Sequence, residues 1–478
     1  MRFQGRTQEL QQLERERLRP RNSLMVIYGR RRVGKSTLIL HSLEGQRHVY
    51  FQATRMTSSH NLSLFKAALQ QALGGNPVLE SLSTWTGVLS YLPQLMGEQP
   101  ITFVLDEFPY LVEANPALPS LLQRAWDAWE REVHGLKLIL CGSSIAFMES
   151  LLEEKNPLYG RQTLKIDLGP LSFREVRLAF PLWNPSDFFS LYGVYGGMPY
   201  YLRLLDPQVD LKQNLLETVL EPGSALFEEP LHLLQAELRE VARYQSVLAA
   251  VAAGQSEFGE IVNRIPEFSS GNQLSPYLAR LEKLRLLETV RSLDKDERGR
   301  NRRHFLRDPF LKFWYRFVLP YTSALDAGHG EAVYTARIEP EWSRFMGEAF
   351  ESICREYVTR YGEELGSPAL EVGRIWGADF DLDVVVDSLD GTLLLGECKW
   401  WQERVGLNIL EMLRERRVKT PYGRAQPVQY ALFSRSGFTE ELKQHALEHS
   451  EVHLVSLERL LGEPEPDDNS APEPAETR

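Results

Sequence analysis

The chain has 478 residues, too many for one ordinary core and enough for about three domains of roughly 100–200 residues each. Hydrophobic residues make up 43% and charged residues 25%, the composition of a folded globular protein, while a net charge of -11 excludes a surface coated uniformly in positive charge. The isolated cysteines Cys141, Cys354 and Cys398 offer neither a disulfide framework nor zinc-ligand spacing, and no apolar run reaches the roughly 18 residues that span a bilayer, so the expectation is a soluble protein of a reducing cytoplasm, with no membrane partner.

Residues 1–207 alternate short apolar runs with helix-like stretches, which predicts an α/β domain on a parallel sheet. The strands expected are LMVIY at Leu24, HVYFQA at His48, ITFVLD at Ile101, KLILCG at Lys137 and LKIDL at Leu164. Residues 208–325 turn mostly helical, with EVARYQSVLAAVAA, EFGEIVNRI and LSPYLARLEKLRLLE followed by a ribbon with a charged turn, the outline of a helical lid and a winged helix-turn-helix. In residues 326–462 a helix EWSRFMGEAFESICREYV precedes strands near LEVGRIW, DLDVVVDS and TLLLGECKW, with Asp390-Gly391 as a hairpin turn, then a basic helix and a strand VQYALFS. Residues 463–478 are acidic and Pro-rich and read as a disordered tail.

The stretch GRRRVGKST, from Gly29 to Thr37, lies between an apolar strand and a helix, the context in which G-x-x-x-x-G-K-S holds phosphates. Gly29 and Gly34 let backbone amides turn inward, Lys35 brings a charge to the terminal phosphates, and Ser36 is placed to hold Mg2+. The strand ITFVLDEF ends in Asp106, a second position for the metal, and Glu107, which would orient or deprotonate the attacking water. Ser143, after the strand LILCG, reads either as a sensor of the γ-phosphate or as a helix cap. Arg161 reads either as a charge-stabilising finger, acting within the subunit or from a neighbour in a homo-oligomer, or as an ordinary surface arginine.

Taken together, FQGRTQELQQL, YGRRRVGKST, FVLDEF, LILCGSS and YGGMPYYL resemble the archaeal-type ATPases of the P-loop superfamily, related to AAA+ and STAND proteins. That resemblance implies ATP as cofactor, Arg6 and Glu9 on the adenine side of its site, and a lid signature at Gly196–Pro199. The C-terminal block resembles the DUF234 domain found fused to such ATPases, itself similar to PD-(D/E)XK nucleases, and the resemblance carries over to Glu351, Asp383, Glu397 and Lys399.

Chemistry leads to the same residues. Positions i and i+2 of a strand share a face, so Glu397 and Lys399 project together while Cys398 turns away, and the hairpin brings Asp383 beside them. Asp383 and Glu397 would seat Mg2+ with Lys399 near a nucleophilic water; the competing reading is a surface ion pair. Glu351 reads as a further carboxylate or as a solvated helix residue. The basic runs Arg298–Arg307 and Arg414–Arg424 are candidate contacts to DNA phosphates or simply solvated faces, and Trp400 and Trp401 read as core or as base-stacking residues. The expectation is an ATP-hydrolysing DNA-processing protein with a Mg-dependent nuclease domain. Its rival is a nucleotide-switched DNA-binding or regulatory protein whose nuclease-like domain is inactive.

Overall fold

The computed structural model describes residues 3–96, 100–132, 134–268, 271–294, 302–377, 379–420 and 427–464. The tail expected over 463–478 falls almost wholly outside these residues, as do positions 298–301 and 421–424 of the two basic runs. Two compact units divide the chain: one is Met1–Leu171 with Met198–Arg203, the other Ser172–Gly197 with Leu204–Arg478.

The first unit is built on five parallel strands, β1 (Ser23–Tyr28), β2 (His48–Gln52), β3 (Thr102–Asp106), β4 (Lys137–Gly142) and β5 (Gln162–Asp167), in the spatial order β2-β3-β4-β1-β5. All five expected strands form. Those at the centre bury every residue, as strands covered by helices on both faces must. Because the strands are parallel, their carboxyl ends lie along one edge, and the loops leaving β1, β3 and β4 emerge there side by side.

The second unit contains three successive helices, Val241–Ala252, Phe258–Arg264 and Gly271–Lys283, followed by an antiparallel ribbon of β6 (Leu287–Arg291) and β7 (Arg302–Leu306). Its larger sheet has strands β8 (Ala369–Trp376), β9 (Asp381–Ser388), β10 (Leu393–Lys399), β11 (Val428–Ser434) and β12 (Val452–Val455), ordered β12-β11-β10-β9-β8. The sheet is mixed: β8-β9-β10 run antiparallel, with the β9–β10 turn at Asp390-Gly391, and β10-β11-β12 run parallel. Helix Trp342–Tyr361 crosses β8, β9 and β10. Its buried stripe of Phe345, Met346, Phe350, Ile353, Cys354, Tyr357 and Val358 repeats at helical spacing. Each fully buried apolar side chain of this kind contributes about 1.5–3 kcal/mol, so the stripe sets the helix rotation and the half-buried Glu351 follows. Leu293 N–H donates to the Arg374 carbonyl at 3.1 Å, and Ser292 forms a parallel bridge to Arg374, which pins the ribbon to the outer edge of β8. Among the described residues no helix is long and apolar enough to cross a membrane, and the three cysteines are free and buried.

Candidate functional site

In the first unit, Gly29 and Gly34 shape the loop after β1. Gly29 has φ +157°, and a Cβ there would lie 2.2 Å from the Leu168 carbonyl oxygen, because Leu168 N–H already bonds Tyr28 O at 2.7 Å. Gly34 has φ +92° and starts helix Lys35–Ser42. Lys35 is 6% exposed, its Nζ donating to the carbonyls of Gly29 (2.9 Å) and Arg30 (3.0 Å). Burial pulls the pKa of this ammonium down, while Cys141, Glu107 and Asp106 act in the opposite sense.

Ser36 Oγ donates to Asp106 Oδ2 at 2.8 Å, and Asp106 Oδ1 accepts from the Glu107 amide at 2.9 Å. The helix-initiating Ser36 and the strand-ending Asp106 are therefore joined directly, two hard oxygen donors suited to an ion that retains waters, as magnesium does. Tyr50, on β2, also donates its hydroxyl to Asp106 Oδ2; this residue was not singled out from the sequence. Its position is legible only once β2 is known to pair with β3, with Gln52 opposite Asp106.

Glu107 has φ +52°, a left-handed conformation that costs a non-glycine residue about 1–2 kcal/mol. From there its carboxylate accepts from Ser143 Oγ at 3.2 and 3.0 Å. Ser143 does not cap the helix it precedes: that cap position is Ser144, which makes no side-chain cap bond. Arg6 is 5% exposed and donates to the carbonyls of Val33 (3.1 Å) and Gly169 (2.7 Å), so it braces the phosphate loop from behind, with Glu9 3.4 Å away. Thr37 is exposed on the following helix. Pro199 and Tyr200, from the GGMPYYL stretch, reach the same loop: Pro199 lies 3.7 Å from where a Gly34 Cβ would stand, and the Arg32 guanidinium lies 4.0 Å from the Tyr200 ring centre.

Of the readings open for Arg161, a finger acting within its own subunit does not fit the geometry. Arg161 stands at the start of β5 beside the start of β1, whereas the phosphate loop leaves the end of β1, roughly 16 Å further on at about 3.3 Å per residue. Its Nε and Nη2 bind the two Asp127 oxygens at 2.7 and 3.0 Å, which fixes it as a structural ion pair away from any γ-phosphate held by the same subunit.

In the second unit β9 and β10 pair so that Asp383 stands on the strand next to Glu397 and Lys399. Lys399 Nζ lies 2.6 Å from Glu397 Oε1, and Asp383 Oδ2 accepts from the Cys398 amide at 3.0 Å. Burial first, and then the Glu397 carboxylate, push the Asp383 pKa up to about 6. Glu351 joins from helix Trp342–Tyr361, its pKa raised by burial and by Asp383, with Arg355 and Arg374 each 3.5 Å from its Oε2. The sequence reading missed how many cations enclose this group. Arg416, on helix Leu407–Val418, donates from Nη1 to Glu397 Oε2 at 2.9 Å, so both oxygens of Glu397, which is 2% exposed, are ion-paired. No group of three or more His, Cys, Asp or Glu residues spaced for a metal occurs among the described residues. The oxygen donors and their mutual repulsion suit a hard cation at Asp383 and Glu397, as a pair and not as a closed cage. Trp400 is buried, its ring 5.1 Å from Phe350, whereas Trp401 is 44% exposed beneath Lys399.

The sheet order and the joined Lys35, Ser36, Asp106 and Glu107 define a P-loop ATPase domain. Residues 3–205 match the family described as an ATPase domain predominantly from Archaea, and residues 314–413 match DUF234, described as archaeal and bacterial proteins of unknown function. The Methanocaldococcus jannaschii protein MJECL04, itself described as uncharacterized, is 31% identical over 83% of this chain and 87% of its own length. The chain belongs to this family of archaeal-type ATPases with a C-terminal DUF234 segment. Its fold is similar to that of the Walker-type ATPase PABY2304 of Pyrococcus abyssi, with 20% identity, a TM-score of 0.50, and coverage of 66% of this chain and 96% of that one. The ORC2 protein of Aeropyrum pernix aligns at 15% identity and a TM-score of 0.45, over 68% of this chain and 95% of its own.

Proposed function

We propose that this protein hydrolyses ATP through the β1–β3–β4 edge of its first unit to drive work on DNA, and that its second unit cleaves a phosphodiester at Asp383, Glu397 and Lys399. In the first unit Lys35 exchanges its loop carbonyls for phosphate oxygens, and Glu107, oriented by Ser143, accepts a proton from the attacking water. Ser36 and Asp106 would hold magnesium, which supplies charge neutralisation for the phosphates when bound.

The observation that carries the second half is the convergence of an acidic pair with a lysine: Glu397 and Lys399 from one face of β10, and Asp383 from its neighbour. An exposed ion pair would leave Glu397 in solvent and Asp383 near its ordinary pKa. Asp383 and Glu397 would be the metal-holding carboxylates, and Lys399 places a positive charge where the phosphate charge develops. The three helices and the β6–β7 ribbon support a winged helix-turn-helix reading of residues 241–306, which gives the DNA a place to bind.

One observation favours a second reading. Arg416 and Lys399 together neutralise both Glu397 oxygens, as they would in a nuclease-like domain that only holds DNA for a nucleotide-driven switch. Supercoiled, linear and single-stranded DNA incubated with the protein, with and without ATP and Mg2+, separates the two. Cutting that disappears in Lys399→Ala supports the first reading; DNA binding with no cutting under any condition replaces it with the second.

A further inference from the structure

Two basic stretches more than a hundred residues apart in sequence meet at one short segment of the second unit. From the ribbon, Arg303 lies over the Trp376 ring, 4.7 Å from its centre, and its Nη1 stands 3.9 Å from Asp381 Oδ1. From the end of helix Leu407–Val418, Arg416 Nη1 donates to the Asp381 carbonyl at 2.8 Å. Just past that helix, Lys419 Nζ pairs with Asp379 Oδ2 at 2.6 Å and lies over the Phe380 ring. Arg416 also binds Glu397, so this junction borders the acidic pair.

The junction is only partly satisfied. Arg303 Nε is buried without a hydrogen-bond acceptor, and its ion pairs, 3.7 Å to Glu257 and 3.9 Å to Asp381, are long. Asp379 and Asp381 are 70% and 64% exposed, and exposed pairs of this kind hold their cations weakly. Phosphates on a polyanion offer such cations stronger charge-assisted bonds and release bound counterions.

We infer that Arg303, Arg416 and Lys419 form one continuous track for a polynucleotide phosphodiester backbone, and that Asp379 and Asp381 occupy its ends as exchangeable stand-ins for phosphate. The inference rests on the reading of this unit as one that works on DNA, and it assigns the backbone a path across the Asp379–Asp381 segment beside Glu397. A net charge of -11 makes placement decisive: the track has to be local, and its own acidic residues limit what it binds.

The test is fluorescence anisotropy of labelled duplex DNA, single-stranded DNA, duplex RNA and polyglutamate with the full chain in EDTA, across a salt series. Arg303→Ala and Lys419→Ala should each weaken polynucleotide binding and reduce the slope of log K against log salt by about one. Asp379→Asn with Asp381→Asn should tighten it by about two- to fivefold, a gain that loss of a merely structural contact would not produce. Unchanged affinity in the double Asn variant, unchanged slopes in both Ala variants, or equal binding of polyglutamate would overturn the track. Because no metal is present, a negative result removes the track and leaves the cleavage reading to its own assay.

Discussion

At the scale of single residues, the phosphate site depends on positions where no other side chain serves. Lys35→Ala removes the ammonium that donates to the Gly29 and Arg30 carbonyls, and ATP turnover should fall by roughly 10²–10³-fold, measured by phosphate release. Glu107→Gln keeps the Ser143 hydrogen bond but cannot accept a proton. It should bind ATP normally by calorimetry while turnover falls by roughly 10²–10⁴-fold; a variant that still hydrolyses at the original rate removes Glu107 as base. Gly29→Ala forces a Cβ against Leu168 O and should cost about 1–3 kcal/mol in a denaturant titration. The residues of this site were legible in the sequence because each lies in a short contiguous motif whose strand and helix flanks give it direction. Tyr50 was not, since its tie to Asp106 follows from which strands pair. The sequence left Arg161 open between a finger and a surface arginine, because sequence order gives no hint that it stands at the opposite end of the sheet.

At the scale of elements, the five parallel strands and the β9–β10 hairpin were legible from continuous apolar runs and from one Asp-Gly turn. The helix carrying Glu351 was legible from its apolar spacing. The ion-pair enclosure was not, because Arg355, Arg374 and Arg416 come from three elements whose packing no local pattern encodes. Arg374 ties the ribbon to helix Trp342–Tyr361: its carbonyl accepts from Leu293, just past β6, its guanidinium lies 4.5 Å from the Phe305 ring centre, and it pairs with Glu351. Burial, then the neighbouring Arg355, lowers its pKa to about 10, so it stays charged near neutrality. The acidic pair carries a pH signature. The Asp383 pKa rises from its ordinary 3.8 to about 6, so the folded state binds that proton more tightly than the unfolded chain. Its contribution to stability is present below about pH 4 and is lost as pH rises through about 6, while the ionised carboxylate appears over the same window. Asp383→Asn should therefore flatten the pH dependence of thermal stability between pH 4 and 6; an unaltered profile would assign the shift elsewhere.

At the scale of the whole molecule, the chain joins an ATPase domain to a second unit in which an acidic pair, a lysine and a basic junction lie together, and the proposed phosphodiester chemistry rests on that arrangement. Composition foretold neither: an acidic protein with an average hydrophobic fraction discloses its partners only through where charges sit. Because each of the two proposed centres uses its own residues, damage to one should spare the other. The most direct measurement assays ATP hydrolysis and nicking of supercoiled DNA side by side, in the same Mg2+ buffer, for the wild type, Lys35→Ala and Asp383→Asn. The expected outcome is nicking by the wild type, loss of hydrolysis in Lys35→Ala, and loss of nicking with hydrolysis retained in Asp383→Asn. Nicking by Asp383→Asn at the wild-type rate would contradict it.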